Sequence, residues 1–266
     1  MTPVMLLHAS ASSSAQWRSL CAALEAKHHV VAPDLVGYGT TPPWQGTGAF
    51  RLADEAVQLR RLIRQLGEPV HLVGHSYGGA VALHVARTSP ELVRRLVLIE
   101  PVAFHLLRDG DAIDLEGLRE FSAAAQRVRA APDPQAAARV FVDYWNGAGA
   151  WDRTPPEKRK PVVAALPKLR LELDAALGEP ATLADLKALR PPVLLLQGGL
   201  TQLSTRCVCH RLARSLPDVA LHVVRGAGHM LPLTHRDEVN ALVASFIGTE
   251  VPRSAARAAD AWRRVA

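Results

Sequence analysis

The chain has 266 residues, of which 48% are hydrophobic, and this size and composition favour one large α/β domain with a sizeable core. The formal net charge of +6 comes from scattered arginines that alternate with acidic residues, so we expect a solvated surface and no nucleic-acid partner. The N-terminus lacks a basic signal-peptide region, and no apolar run reaches membrane-spanning length. The sequence therefore predicts a soluble, cytoplasmic protein with no membrane partner.

Six short apolar segments are predicted as buried strands, at 3–7, 29–32, 70–73, 96–99, 193–196 and 221–224. Helical patterns alternate with them: one has Ser14 as its candidate N-cap, and another covers 52–66 and ends at Gly67. Such alternation predicts an α/β fold with a mainly parallel sheet of about six strands and helices on both faces.

The alternation stops between 102 and 189, where helical patterns follow one another at 115–130, 135–145 and 156–177. The second of these has Asp133 as a candidate N-cap and Pro134 just inside the helix. A helical block between two strands predicts an inserted cap over the carboxyl edge of the sheet, where ligands bind in open α/β sheets.

We therefore divide the chain into four parts: a core at 1–101, a helical cap at 102–189, the rest of the core at 190–250, and a helical tail at 251–266. The tail carries a helix-like apolar stripe. We expect it to dock against the body, and a fraying or partner-binding end is the alternative.

The stretch from 70 to 80 is the part around which the rest is organised. A buried strand runs into the sequence GHSYG at 74–78, which is the G-x-S-x-G pattern, and an apolar helix follows. The glycines two residues before and after Ser76 leave room for a sharp turn. The serine hydroxyl is then exposed at the top of the sheet beside the amides of the helix start. The alternative, a Gly-Ser loop without chemistry, is disfavoured by the flanking strand and helix.

Four motifs in order along most of the chain resemble those of the α/β-hydrolase superfamily. They are His8-Ala9 after the first strand, DLVGYG at 34–39, the GHSYGG elbow at 74–79, and GAGHM at 226–230, which carries His229. The resemblance implies a sheet of that family's type and the chain order serine, acid, histidine.

The chain departs from the family pattern in three ways. It begins at the strand before His8-Ala9, so we expect a sheet without the usual N-terminal antiparallel hairpin. Ala9 replaces a glycine, and alanine is small enough for an oxyanion hole to survive. The loop at 197–204, where the family usually carries its acid, contains no carboxylate. Some relatives, including certain haloalkane dehalogenases, place the acid one strand earlier, and this assigns the acid to Glu100. A surface glutamate beside a Ser-His dyad is the alternative.

The resemblance implies a catalytic role for each matching residue. Ser76 is the nucleophile, His229 is the general base and acid, and Glu100 orients the histidine. The backbone N–H groups of Ser10 and Tyr77 form the oxyanion hole. His8 and His75 are predicted to be structural.

We expect no metal and no cofactor. The remaining histidines show no metal-ligand spacing. Cys207 and Cys209 form a C-x-C pair compatible with a metal site or a disulfide, but with Cys21 as the one other cysteine, reduced thiols are the better interpretation.

The expected substrate is a small or medium hydrophobic ester or lactone. Candidate substrate-binding residues are the large apolar side chains of Trp17, Tyr38, Phe104, Trp145, Trp151 and Met230, for which core packing is the alternative. Two other functions stay open: hydrolysis of a carbon–carbon bond in a β-diketone-like compound, and ligand binding without turnover. The sequence leaves open whether the protein is a monomer or a homodimer.

Overall fold

A computed structural model describes residues 1–248, and the predicted tail at 251–266 lies outside this range. Within these residues six strands form one sheet, in the order β2-β1-β3-β4-β5-β6, and every adjacent pair is parallel. The strands are β1 (Val4–Leu7), β2 (Val30–Val31), β3 (Val70–His75), β4 (Val93–Ile99), β5 (Val193–Gly198) and β6 (Val219–Val224). The predicted six-stranded, mainly parallel sheet is confirmed.

Helices cover both faces of this sheet, because side chains alternate between the faces along each buried strand. On β1, Met5 and Leu7 join a larger core with α2 (Leu52–Gln65) and α3 (Tyr77–Thr88). Val4 and Leu6 join a smaller core with α1 (Arg18–Leu24) and α12 (Arg236–Gly248). The two short helices α11 (Leu231–Thr234) and α12 follow β6, and α10 (Leu203–Ser215) follows β5.

Six α-helices follow one another between β4 and β5, where the structure describes every residue. We call these helices the inserted segment. These are α4 (Ala112–Ala130), α5 (Pro134–Asn146), α6 (Ala150–Arg153), α7 (Pro156–Ala164), α8 (Leu166–Gly178) and α9 (Leu183–Leu186). The segment packs on the core through α4 and α10, where Gly117 permits a close approach: a Cβ there would meet Ser204 Cα at 3.0 Å.

Two helix boundaries differ from the sequence-based expectation. The third helical pattern, at 156–177, is divided into α7 and α8 because Pro167 lies in the first turn of a new helix, where its missing N–H costs nothing. The first helical region is capped by Ser13 instead of Ser14, and its opening turn, Ser14–Trp17, is a 3-10 helix. The cap at Asp133 is confirmed, since its side chain accepts a hydrogen bond from Ala136 N.

Candidate active site

Ser76 occupies the sharp turn between β3 and α3 in a strained backbone conformation, with φ of 56°. Glycine is required on both sides of this turn. A Cβ on Gly74 would meet Gly78 O at 2.3 Å, and a Cβ on Gly78 would meet Leu7 O at 2.4 Å. The neighbouring strand β4 stabilises this strained turn, because Ser76 N donates a hydrogen bond to Ile99 O at 2.9 Å.

The turn after β6 brings His229 to this serine. The distance from His229 Nε2 to Ser76 Oγ is 2.9 Å, and the histidine is buried. Gly226, with φ of 73°, starts the turn. The indole ring of Trp145, from α5, stacks on the imidazole with ring centroids 3.8 Å apart and an interplanar angle of 24°. Trp145 therefore excludes water from one face of the histidine.

Glu100 lies at the carboxyl end of β4 and is completely buried. Its backbone has φ of 45°, another left-handed conformation. Its carboxylate accepts hydrogen bonds from His229 Nδ1 at 2.7 Å, Gly198 N at 2.6 Å and Thr201 Oγ1 at 2.7 Å. The stretch at 197–204, which lacks a carboxylate, thus supplies two donors, Gly198 N and Thr201 Oγ1, to the carboxylate that follows the adjacent strand β4.

The serine, histidine and glutamate form a continuous hydrogen-bonded chain across three strand ends. With Nδ1 donating to Glu100, His229 Nε2 is an acceptor for the serine proton. This is the arrangement a general base requires.

Sequence reasoning missed the roles of Gln16 and Thr201. Gln16 Oε1 accepts the amide proton of Ala9 at 3.1 Å, and its Nε2 donates to His75 Nδ1 at 3.2 Å. His75 Nε2 in turn donates to the carbonyl of His229 at 2.9 Å. Burial, reinforced by His229, lowers the pKa of His75 to about 3, so the ring is neutral and can accept at one nitrogen while donating at the other. No motif signals these contacts, and those of His75 with Gln16 and with His229 join residues 59 and 154 positions apart.

The two predicted oxyanion amides lie on the loop after β1 (Ser10) and at the first residue of α3 (Tyr77). His8 accepts from Leu35 N at 3.0 Å and donates to Ala9 O at 2.7 Å, which fixes the end of β1. Among residues 1–248, the backbone N–H groups of Ser10 and Tyr77 have no hydrogen-bond partner. Two unpartnered amides are what a developing oxyanion needs.

The candidate substrate-binding residues fall into three groups. Trp145 lies against His229, and Met230 directly follows that histidine. The rings of Phe104 and Phe121 stack with centroids 3.9 Å apart, and the guanidinium of Arg159 lies over the ring of Trp151. Both candidate residues therefore pack against side chains of the inserted segment. Trp17 belongs to the smaller core on the opposite face of the sheet from Tyr38.

A buried charged cluster lies beside the predicted oxyanion hole. Lys168 on α8 forms an ion pair with Glu55 on α2, and its Nζ is 3.8 Å from Glu172 Oε1. The ammonium also lies 3.8 Å from the ring centroid of Phe50 and 5.4 Å from that of Tyr77. Glu172 Oε2 accepts a hydrogen bond from Tyr38 Oη at 3.0 Å. Burial raises the pKa of Glu172 to about 7, opposed by Lys168 and by the Ser10 and Tyr38 hydroxyl groups.

Comparison with known proteins identifies the family. Residues 2–236 match the family model described as the alpha/beta hydrolase fold. The chain belongs to this family. It is 31% identical to a haloalkane dehalogenase from Bradyrhizobium diazoefficiens over 94% of this chain and 88% of that protein. It is 28% identical to 2-hydroxy-6-oxo-2,4-heptadienoate hydrolase from Pseudomonas putida, over 93% of this chain and 90% of the relative.

Solved structures agree on the fold. A carboxylesterase from Bacillus subtilis superposes with a TM-score of 0.70 at 23% identity, over 94% of this chain and 85% of that one. A hydrolase from Pseudomonas aeruginosa gives a TM-score of 0.73 at 21% identity, over 93% and 91%. Together with the family match, these findings make the protein a hydrolase of the α/β-hydrolase fold.

Two features of residues 1–248 bear on other functions. These residues contain no group of three or more histidine, cysteine or acidic side chains arranged to hold a metal ion. None of their helices combines the length and apolar character that crossing a bilayer requires.

Proposed function

We propose that this protein is a cofactor-free serine hydrolase that cleaves a small or medium hydrophobic ester or lactone through an acyl-enzyme. One observation carries the proposal: the hydrogen-bonded chain from Ser76 Oγ through His229 to Glu100, with distances of 2.9 Å and 2.7 Å. Beside it lie the unpartnered amides of Ser10 and Tyr77.

In the proposed reaction, Ser76 Oγ attacks the carbonyl carbon while His229 Nε2 takes the hydroxyl proton. The carbonyl oxygen becomes an oxyanion and accepts hydrogen bonds from the two amides. When the intermediate collapses, the carbon–oxygen bond to the leaving group breaks, and His229 returns the proton to that oxygen. Water then attacks the acyl-serine, losing its proton to His229, and the acid leaves as Ser76 regains its hydrogen. Glu100 stabilises the imidazolium in both halves.

The nucleophile separates this proposal from the activity named for the dehalogenase relative. Displacement of a halide from an alkyl carbon by a serine hydroxyl gives an ether, which water does not readily cleave. A serine instead suits a carbonyl carbon, because the resulting ester is hydrolysed by the same machinery. The hydroxyl of Ser76 therefore favours acyl transfer.

We assign substrate selection to the inserted segment, which we propose as a cap over residues of the core at 1–101 and 190–250. The rings of Phe121, Tyr144 and Trp145 contact one another, and Trp145 stacks on His229. An aromatic cluster next to the histidine supports an apolar substrate, because ligand pockets are lined mainly by such side chains. Trp145 is the proposed wall of the pocket nearest the reacting atoms.

Carbon–carbon bond hydrolysis is the second candidate, supported by the similarity to the heptadienoate hydrolase. Substrates of that kind often carry a carboxylate, for which a free basic pair would be expected in the pocket. Lys168, whose ammonium lies 5.4 Å from the ring centroid of Tyr77, is already paired with Glu55 and Glu172. This pairing favours uncharged esters over carboxylate-bearing compounds.

Pre-steady-state kinetics test the proposal. We expect short-chain nitrophenyl esters to release a burst of nitrophenol near one equivalent per active site, and Ser76→Ala to show no burst. Equal, burst-free rates for the two proteins would contradict the acyl-enzyme. In that case turnover of β-diketones and equilibrium ligand binding distinguish the second candidate from a binding protein without turnover.

A further inference from the structure

The loop after β1 is held by side chains on either side of Ser10. Ala9 N donates to Gln16 Oε1 at 3.1 Å, and Ala11 N donates to Tyr38 Oη at 3.0 Å. Within residues 1–248, the Ser10 amide between them has no partner. Both flanking amides are thus occupied, and the one left free is the amide predicted to bind the oxyanion.

We infer that Tyr38 is a positioning residue for the oxyanion hole, and that Glu172 on α8 sets the direction of its hydroxyl. This inference rests on the proposed function, because it assigns a role within that catalytic site. Tyr38 belongs to the loop after β2 and Glu172 to the inserted segment, so the contact also joins this segment to the catalytic loop.

The direction of each hydrogen bond carries the inference. A tyrosine hydroxyl has one proton to donate and lone pairs to accept with. Glu172 Oε2 takes the Tyr38 proton at 3.0 Å, which leaves the lone pairs of Oη for the N–H of Ala11. Without an acceptor at position 172, the hydroxyl is free to rotate and to offer its proton where Ala11 needs an acceptor.

Ala11 needs this support because its backbone is strained. Its φ is 53°, a left-handed value that costs a non-glycine residue free energy unless its surroundings hold it. The hydrogen bond from Ala11 N to Tyr38 is one such restraint. If it is lost, relaxation of Ala11 turns the adjoining peptide and moves the Ser10 amide, and a misplacement of about 1 Å is enough to cost as much as 10²-fold in rate.

A second set of contacts links α8, which carries Glu172, to the loop that carries Tyr38. Lys168, one turn earlier on α8, pairs with Glu55, and Glu55 Oε2 accepts the amide proton of Val36 at 3.1 Å. The loop carrying Tyr38 is therefore fastened to α8 at two points. The rings of Tyr38 and His8 also make a T-shaped contact with centroids 5.1 Å apart, so Tyr38 packs against the end of β1.

Tyr38→Phe removes only the hydroxyl and tests the inference. On a nitrophenyl ester that wild type turns over, we expect kcat to fall about 10- to 100-fold with KM changed less than about threefold. Binding of an alkyl boronic acid, which forms a tetrahedral anionic adduct with serine, should weaken by a similar factor. Thr88→Val is the control: it loses a hydroxyl hydrogen bond of 2.8 Å to His84 O near the end of α3, away from the candidate site, and should change both quantities less than about threefold.

Two variants at position 172 separate hydroxyl direction from simple packing. Glu172→Leu should reproduce most of the loss in kcat and boronate affinity, whereas Glu172→Gln, which keeps an acceptor oxygen, should recover most of both. Melting temperatures of all variants are measured alongside. A Tyr38→Phe protein that melts earlier but keeps kcat and boronate affinity would overturn the inference and leave the proposed function intact. Wild type without a Ser76-dependent burst would overturn the proposed function and the inference with it.

Discussion

Two buried glutamates contact different parts of the candidate site: Glu100 in the core contacts His229, and Glu172 in the inserted segment contacts Tyr38. Both are almost completely removed from water. Glu100 accepts three hydrogen bonds from donors in the core. Glu172 accepts a hydrogen bond on Oε2, whereas Oε1 lies 3.8 Å from the lysine ammonium and has no hydrogen-bond partner.

The difference shows how burial alone says little about the role of a carboxylate. At Glu100 the surrounding donors fix the group against a histidine, so its charge acts on a defined ring nitrogen. At Glu172 the donors are fewer, and burial raises its pKa to about 7. We expect the first glutamate to control the rate of the chemical step and the second to affect loop position and pH-dependent stability.

Glu100→Gln gives the largest expected effect on activity. The amide preserves shape but removes the charge that stabilises the imidazolium, so kcat should fall by up to about 10⁴-fold. Glu179→Gln is the matched control, since Glu179 is also buried and paired, with Arg87 at 3.0 Å. Steady-state kinetics of both variants measure the difference. A loss below tenfold for Glu100→Gln would mean that the site works as a Ser-His dyad.

Lys168→Met gives the largest expected effect on folding. It removes the cation shared by two buried carboxylates and should lower the free energy of unfolding by about 3–5 kcal/mol. Urea unfolding followed by circular dichroism measures this. Arg129→Met, which breaks an exposed pair with Asp174, should cause little change. Equal effects of the two substitutions would show that the charged cluster does not support the fold.

The pH dependence of stability should distinguish Glu172 from exposed glutamates. Its pKa is raised from 4.5 to about 7 on folding, so the stability it contributes is present below pH 4.5 and is lost as pH rises to 7. Glutamine does not titrate. Relative to wild type, the free energy of unfolding of Glu172→Gln should therefore rise by up to roughly 3 kcal/mol between pH 4.5 and 7.5. A difference between Glu172→Gln and wild type that stays flat over this pH range would contradict the raised pKa.

Thr201→Val gives the smallest expected effect and tests the support of Glu100. It removes one of the two donors that residues 197–204 supply to Glu100, and valine is close to threonine in volume. Loss of a hydrogen bond to a charged group should lower kcat about tenfold. Thr201→Ser retains the hydroxyl and should stay within a few-fold of wild type. Identical kinetics for valine and wild type would show that Gly198 N alone orients the acid.

The core of the fold and the three residues of the hydrogen-bonded chain were predictable from sequence because each is tied to a local pattern. Ser76 lies in a motif with glycines that the turn requires, Glu100 directly follows β4, and His229 lies in the glycine-containing turn after β6. Parallel strands bring such positions to one edge of the sheet. Residues 197–204 contain no carboxylate, so the acid was expected one strand earlier, at Glu100.

The contacts of the inserted segment and of Gln16 were not predictable in the same way. Tyr38 was interpreted as a candidate substrate-binding residue, and the structure gives its hydroxyl two hydrogen bonds, one to Ala11 and one to Glu172. The Tyr38–Glu172 pair is separated by 134 residues. Helix packing angles and loop paths decide which side chains meet over such distances, and periodicity in the sequence carries no information on them.

Covalent labelling with a fluorophosphonate, followed by peptide mass mapping, tests the central claim most directly. A serine activated by His229 beside a formed oxyanion hole should react once, at Ser76, and the adduct should be absent from Ser76→Ala and from heat-denatured protein. That result would establish Ser76 as the nucleophile of a serine hydrolase. An unlabelled wild-type protein, or label on other serines at the same rate in Ser76→Ala, would contradict the catalytic roles proposed for Ser76, His229 and Glu100.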